Sequence, residues 1–253
     1  RCDLSFSFYV LYFEPINHLN LNQAARDMNE LLKPSNVLVP KLYLLTNDDK
    51  LPVLLAKLEM ALATGVVHLL QIRRKQVLAT DNGAAKLYQE ALQIVALAKR
   101  YKVAVVINDD MALAEQLGVG VHLGQSDGSI EAARQRLGCQ QVIGRTCHDD
   151  VDLVVKAKSA GASYAAMGAI FSSTTKPNAQ PIERSKLIAG CKQDIDICVI
   201  GGLTAENITG LQGLPIRYVA VVGDIMDLRV DKIAHRCQQW QQALNTWSTA
   251  SSK

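Results

Sequence analysis

Eight short apolar segments alternate with longer amphipathic segments, and this alternation restricts the fold more than any other feature of the sequence. The predicted strands span residues 41–46, 67–72, 103–108, 119–123, 141–145, 164–168, 197–201 and 218–222. Several are almost wholly apolar, which is typical of parallel strands covered by helices. Eight strand–helix units predict a (β/α)8 TIM barrel. An open doubly wound sheet is the alternative, but it would be unusually wide.

The first 40 residues do not follow this alternation. Residues 20–33 are predicted to form one helix that stops before Pro34, so we expect an N-terminal helical extension over residues 1–40. The barrel, as the predicted catalytic domain, would cover residues 41–247. The polar residues 248–253 are expected to form a disordered tail.

Composition excludes several classes of function. The six cysteines form no C-x-x-C pair and no zinc-ligand pattern, which favours reduced thiols in a cytoplasmic protein. The net charge of +3 is small and basic residues are not interleaved with aromatic ones, so no nucleic-acid partner is expected. The longest apolar run near the start, residues 8–13, is too short to span a membrane.

Acidic residues follow two neighbouring predicted strands. Asn108, Asp109 and Asp110 end the third strand, and Asp127 follows the fourth. Active sites of such barrels lie at the C-terminal ends of the strands, and Mg²⁺ takes one or two carboxylates together with waters and phosphate oxygens. Asp109 and Asp127 therefore predict a Mg²⁺ site. N-capping by Asp110 and Asp127 is the alternative, because each precedes a predicted helix.

Cationic, amide and hydroxyl side chains at two other strand ends could bind phosphate groups. They are Gln71, Arg73 and Lys75 after the second strand, and Ser173, Thr175 and Lys176 after the sixth. Strand alternation would direct the first three to one side, where they could bind a diphosphate; a solvated strand end that carries charge is the alternative. The second set offers hydroxyl and ammonium donors and precedes a candidate lid at residues 177–183.

The remaining strand ends carry histidines and glycines. Thr146 and His148 follow the fifth strand, and His148 is either a proton carrier, a ligand contact or a structural residue. His122, inside the fourth strand, is predicted to be a packed core histidine. Gly202 and Gly223 follow strands seven and eight, where such barrels often bind phosphate.

Seven of these segments, taken together, resemble the motifs of thiamine phosphate synthases. In order they are LYLLTND, QIRRK, INDD, VHLGQSD, GRTCHD, GAIFSSTTK and IGGLTAEN, within residues 41–226. The resemblance implies a barrel enzyme of thiamine biosynthesis that uses Mg²⁺. Such a transferase joins a hydroxymethylpyrimidine diphosphate to a thiazole phosphate and releases pyrophosphate. Relatives are often dimers, so a homodimer is expected.

The resemblance also implies roles for individual residues. Asp109 and Asp127 match the magnesium ligands. Arg73, Lys75 and Lys176 match cations that stabilise the departing diphosphate. The substrate contacts implied are Gln71, Asn108, Thr146, His148, Ser173, Thr175, Gly202 and Gly223. No nucleophilic side chain is required, because the pyrimidine C–O bond is thought to ionise before the thiazole nitrogen attacks.

Three departures from the family pattern leave alternatives open. Arg74 stands where an acid is usual, Ala169 replaces a Pro, and Gly223–Asp224 replaces Ser-Ala. An Asp beside a phosphate is unfavourable unless it turns away or binds a cation. A barrel that binds a thiazole or thiamine phosphate without catalysis is therefore one alternative.

A thiazole tautomerase is the other alternative. The segment GRTCHD resembles the histidine-bearing segment of that related family, with His148 at the place of the catalytic histidine. The tautomerases lack both acids that match Asp109 and Asp127. The presence of both acids here favours the synthase.

Overall fold

A computed structural model describes residues 39–172 and 180–247, and its eight strands close into a parallel barrel in chain order. The strands are β1 Lys41–Leu45, β2 Val67–Ile72, β3 Ala104–Asn108, β4 Gly120–Leu123, β5 Ile143–His148, β6 Tyr164–Met167, β7 Asp196–Ile200 and β8 Ile216–Val221. Because β8 pairs with β1, the sheet has no open edge. The predicted TIM barrel is confirmed, and the doubly wound alternative is wrong.

Helices connect successive strands. They are α1 Leu51–Leu62, α2 Lys75–Leu78, α3 Gly83–Arg100, α4 Met111–Leu117, α5 Ile130–Leu137, α6 Val151–Ser159, α7 Arg184–Cys191, α8 Gly223–Met226 and α9 Val230–Asn245. The helix predicted after β7 is a 3₁₀ turn, Asn207–Leu211. None of the described helices is long and apolar enough to cross a membrane.

Strand alternation divides the core into two layers. In β1, Leu42 and Leu44 pack with the surrounding helices, whereas Tyr43 and Leu45 face the barrel interior. This is the period of two that a strand buried on both faces imposes. The interior layer holds Tyr43 and Tyr164, with ring centroids 5.8 Å apart in an edge-to-face arrangement.

β5 is longer than the sequence indicates. It was predicted to end at residue 145, but it continues to His148 through an irregularity between Thr146 and His148. Such a bulge lets a strand keep pairing past a break in its alternation. The sulfur-bearing residue between them, Cys147, is fully buried.

Several sequence predictions lie outside the described residues. The predicted N-terminal helix lies in residues 1–38, and the tail is residues 248–253. Of the cysteines, the five in the described ranges are unpaired, and Cys147, Cys198 and Cys237 are buried. Burial raises the pKa of the Cys147 thiol to about 12, so these sulfurs act as small apolar groups.

Candidate active site at the mouth of the barrel

Asp109 ends β3 with a backbone conformation that is uncommon for a side-chain-bearing residue. Its φ is +64°, in the left-handed region that Asp tolerates better than most residues. Its N–H donates to the carbonyl of His122 at 2.8 Å, which fixes the turn against β4. Such strained positions concentrate at functional sites.

The carboxylates of Asp109 and Asp127 face one space above Gly124. A Cβ added to Gly124 would lie 2.5 Å from Asp127 Oδ2 and 3.9 Å from Asp109 Oδ1. Because both distances start from the same point, the separation between Asp127 Oδ2 and Asp109 Oδ1 cannot exceed their sum. Mg²⁺ can span that gap with oxygen ligands at about 2.1 Å, directly or through a coordinated water. The residues present thus fit a magnesium ion, and a side chain at Gly124 would fill its place.

Neighbouring groups orient both carboxylates, and Asp127 Oδ1 accepts from Ser126 Oγ at 3.5 Å. Asp109 Oδ2 accepts from Asn108 Nδ2 at 2.6 Å and lies 3.6 Å from Lys75 Nζ. Asp127 Oδ2 accepts from the N–H of Gly124 at 3.0 Å. Among the described residues, no group of three or more Asp, Glu, His or Cys side chains could hold a metal. Two carboxylates are sufficient for Mg²⁺ when substrate phosphates supply further ligands.

The N-capping alternative is correct for Asp110 and wrong for Asp127. Asp110 caps α4, because its side chain accepts from the N–H of Leu113 at 2.9 Å. The cap of α5 is Ser129, which accepts from the N–H of Ala132. Asp127 therefore has no capping role.

The segment after β2 reaches Asp109 from the start of a helix and not from the strand, so strand alternation does not describe its side-chain directions. β2 ends at Ile72 and Lys75 begins α2, so the prediction that alternation aims Lys75 beside Gln71 is wrong. The helix start nevertheless brings Lys75 to Asp109. The Thr46 hydroxyl accepts from the backbone N–H of Arg73 at 2.9 Å and donates to the Arg73 carbonyl at 3.1 Å.

Gln71 and Thr146 are linked through the barrel interior. Gln71 is buried, and its Nε2 donates to the hydroxyl of Tyr43. Thr146 Oγ1 lies 2.9 Å from His122 Nε2, and the other ring nitrogen lies 2.9 Å from the Tyr164 hydroxyl. His122 is thus a satisfied core histidine, as predicted, and burial lowers its pKa to about 4.

His148 and the phosphate-binding loop complete the predicted set. His148 is exposed at the end of β5 and has a φ of +51°. Ser173, Thr175 and Lys176 lie outside the described residues, as do residues 177–179 of the candidate lid. The ligand roles of these residues remain predictions.

The glycines after β7 are required by close packing. Gly201 and Gly202 have φ of +104° and +65°. A Cβ on Gly202 would lie 2.5 Å from the carbonyl oxygen of Ser172. The turn therefore lies directly against the start of the loop after β6.

Sequence comparison identifies the family of the chain. The family model described as thiamine monophosphate synthase matches residues 42–225, which is the barrel from β1 to α8. The chain belongs to the thiamine monophosphate synthase family. A curated thiamine-phosphate synthase from Saccharophagus degradans is 42% identical over 171 residues, covering 65% of this chain and 76% of that protein.

Solved structures share the barrel at low sequence identity. A thiamine phosphate pyrophosphorylase from Pyrococcus furiosus superposes with a TM-score of 0.68 at 20% identity, covering 82% of this chain and 96% of that chain. The 3-hexulose-6-phosphate synthase from Salmonella typhimurium gives 0.59 at 17% identity, covering 81% and 98%. Because these relatives have different names and one fold, the barrel alone does not decide the activity.

Arg74, the first departure from the family pattern, is occupied by structural contacts. Its Nε donates to Glu90 Oε2 at 2.8 Å, and its Nη1 donates to the carbonyl of Asn47 at 2.6 Å. The side chain is 2% exposed. The positive charge is therefore paired between α3 and the loop after β1, so the substitution of an acid by Arg74 leaves no unpaired charge.

Asp224, part of the third departure, is also paired with an oppositely charged side chain. Arg236 donates to both of its oxygens, at 2.9 Å and 2.6 Å, and Trp240 Nε1 donates to Oδ2 at 2.7 Å. Arg236 and Trp240 both belong to α9. Arg236 also donates to both oxygens of Glu206, at 2.5 Å and 2.6 Å. Asp224 is therefore paired with a shared cation on the helix side of the turn that begins at Gly223, which reduces the electrostatic objection to a phosphate there.

Sequence reasoning missed two residues near the site. Tyr43 and Tyr164 fall within predicted strands and have no predicted site role, yet their hydroxyls are 2.8 Å apart and join Gln71 to His122. Burial raises the pKa of both phenols well above the usual range, so both keep their protons. The sequence does carry one indication of this link. Both tyrosines lie at inward strand positions, and a buried tyrosine hydroxyl requires a hydrogen-bond partner.

Proposed function

We propose that the chain is a thiamine phosphate synthase, a transferase that joins a hydroxymethylpyrimidine diphosphate to a thiazole phosphate. Family membership supports the reaction class. The observation that carries the proposal is the pair of carboxylates, Asp109 and Asp127, facing one space above Gly124 with Lys75 at its edge. A reaction that expels a diphosphate needs such an arrangement of metal ligands and cation.

The proposed reaction breaks one bond and forms another without any redox step. The C–O bond to the diphosphate breaks and its electron pair stays on the oxygen of the leaving group. The thiazole nitrogen then donates its lone pair to the pyrimidine methylene carbon. Arg73, Lys75 and Lys176 would lie against the departing diphosphate and offset its growing negative charge. A Mg²⁺ ion held by Asp109 and Asp127 would neutralise part of the same charge.

The remaining predicted residues bind and orient the substrates in this proposal. Asn108 and Thr146 contact the pyrimidine side, with exposed His148 beside them. The resemblance implies a diphosphate contact for Gln71, and we place it toward the pyrimidine because hydrogen bonds link it to Thr146. The thiazole phosphate is bound by Ser173, Thr175, and the backbone of Gly202 and Gly223. Pairing of Asp224 with Arg236 is consistent with an anion near Gly223.

The two acids also separate this proposal from the alternatives. A tautomerase moves a proton and has no leaving diphosphate, so it needs no metal beside Lys75. A binding module without catalysis needs no metal site either. Asp109 is held in a left-handed conformation with one oxygen turned toward Asp127, which a purely structural acid does not need.

One assay distinguishes the three functions. Purified protein is mixed with Mg²⁺ and both phosphorylated substrates, and pyrophosphate release is followed over time. Release that requires both substrates supports the synthase. Tautomer exchange without pyrophosphate supports the tautomerase, and tight ligand binding with neither product supports the binding module.

The resemblance to the family also carries proposals beyond the site. We propose a homodimer. From the sequence we also propose an N-terminal extension over residues 1–40, a catalytic barrel domain at 41–247 and a cytoplasmic location. Light scattering on the purified protein tests the first of these, since a monomer mass would contradict it.

A further inference from the structure

Five side chains form an unbroken row of hydrogen bonds inside the barrel. They are Gln71, Tyr43, Tyr164, His122 and Thr146, which belong to strands β2, β1, β6, β4 and β5. The four bonds measure 2.5, 2.8, 2.9 and 2.9 Å in that order. The row begins and ends on residues that the proposed function assigns to the substrate site, and its three middle members have no assigned role.

With Nε2 of Gln71 facing Tyr43, only one direction of the row gives every buried proton in it an acceptor. Gln71 Nε2 has no lone pair to offer and must donate to the Tyr43 oxygen. Tyr43 has a single proton, so it donates to Tyr164. Tyr164 also has a single proton and now accepts from Tyr43, so it donates to Nδ1 of His122.

The tautomer of His122 follows from this order. Its Nδ1 accepts a proton from Tyr164, so the ring proton of a neutral histidine sits on Nε2. Nε2 faces Thr146 Oγ1 and donates to it. The Thr146 hydroxyl then accepts from within the barrel and keeps its own proton for another acceptor. In the described ranges that hydroxyl donates to no protein group.

We infer that this row of hydrogen bonds fixes the Thr146 hydroxyl as a donor toward the barrel mouth, and that Tyr43, Tyr164 and His122 are positioning residues for substrate binding. The inference rests on the proposed function for the identity of the ligand. The acceptor it would recognise is a ring nitrogen of the aminopyrimidine. At the other end, Gln71 Oε1 is left as an acceptor for an amino group.

The surrounding packing holds the row in one arrangement. A Cβ on Gly144 would overlap the Tyr164 ring and lie 2.6 Å from His122 Nδ1. Tyr164 and His122 stack with ring centroids 5.7 Å apart. Tyr43 and Tyr164 are 1% and 0% exposed, so neither hydroxyl can exchange its partner for water.

The tautomer of His122 gives a test that is independent of activity. In protein labelled with ¹⁵N-histidine, long-range ¹H–¹⁵N correlation spectra at pH 7 distinguish a protonated Nε2 from a protonated Nδ1. The signals of His122 are assigned by their absence from a His122→Gln variant. We expect a neutral ring with the proton on Nε2. A proton on Nδ1, or on both nitrogens, would overturn the inference, because His122 would then donate to Tyr164 instead of accepting from it.

Ligand binding tests the positioning role. Titration calorimetry with the unphosphorylated aminopyrimidine alcohol needs no turnover, so it remains informative if the chain is not a synthase. Thr146→Val should weaken binding by about tenfold, and Thr146→Ser should recover most of this loss because it keeps the hydroxyl. Tyr164→Phe should weaken binding while the melting temperature shows a folded protein.

Steady-state kinetics separates positioning from a general structural effect. If the chain is a synthase, Tyr164→Phe should raise KM for the pyrimidine diphosphate by about tenfold and leave KM for the thiazole phosphate within about twofold. Equal changes for both substrates, or no change in pyrimidine binding by any of these variants, would contradict the inference.

Discussion

At the scale of single residues, adjacent acids take different roles because their backbones differ. Asp110 has an extended backbone and turns its carboxylate to the first turn of α4. Asp109 has a left-handed backbone and turns one carboxylate oxygen toward Gly124 and Asp127. The sequence already predicts Asp109 as the metal ligand and offers Asp110 as a helix cap, and the backbone φ of Asp109 gives the physical reason why the two carboxylates point in different directions.

Substitution by the isosteric amide tests this division. Asp109→Asn and Asp127→Asn should each lower kcat for pyrophosphate release at least about a hundredfold, because a neutral amide binds Mg²⁺ poorly. Asp110→Asn is the matched control, since Asn caps a helix as well as Asp does, and it should change the free energy of unfolding by less than about 0.5 kcal/mol. Activity retained in either of the first two variants would exclude their carboxylates from the reaction.

The Arg74 pair is a second residue-scale case, in which burial determines the energy of a salt bridge. Arg74→Ala should lower the free energy of unfolding by about 2–4 kcal/mol, because it leaves Glu90 without its buried partner. Arg100→Ala removes the exposed pair with Glu59 and should change that free energy by less than about 1 kcal/mol. Urea denaturation measures both. Equal effects would mean that the burial of Arg74 contributes nothing.

At the scale of elements, the packing inside β5 requires glycine at position 144, because two rings occupy the place of a side chain there. Gly144→Ala places a methyl group where the Tyr164 ring and His122 Nδ1 lie, and neither ring can move within the closed barrel. The free energy of unfolding should fall by about 3 kcal/mol. Gly210→Ala, whose added Cβ meets nothing within 4 Å, is the control. A thermally stable Gly144→Ala protein would show that the interior can rearrange.

The strands were predictable because their apolar runs are buried on both faces; β2 was placed at residues 67–72, as found. The position of Lys75 could not be predicted by alternation, because the strand ends three residues before it. The buried row from Gln71 to Thr146 could not be predicted either. Its members are scattered over 122 positions of the chain, counted from Tyr43 to Tyr164, and meet only when the barrel closes.

At the scale of the whole molecule, a buried neutral histidine makes stability depend on pH. The pKa of His122 is about 4 in the folded protein and 6.5 in an unfolded chain, because burial disfavours the charged ring. Between these values the unfolded chain binds more protons, so stability is full above pH 6.5 and falls as the pH falls toward 4.

The expected size of this effect can be measured by urea denaturation at several pH values. Between pH 6.5 and 5 the free energy of unfolding should decrease by up to about 2 kcal/mol through this residue. The same series on His122→Gln should show a shallower decrease, since Gln does not titrate. Identical slopes in the two proteins would contradict a depressed pKa at His122.

The central claim is that one divalent cation lies between Asp109 and Asp127 at the mouth of the barrel. Crystals grown with Mn²⁺ and inorganic pyrophosphate, measured for anomalous scattering of manganese, test it directly. The account predicts a peak above Gly124 with carboxylate oxygens of both residues bound to the ion or to its waters, at about 2–2.2 Å for direct ligands. A manganese peak elsewhere, or bound pyrophosphate with no metal between these two acids, would contradict it.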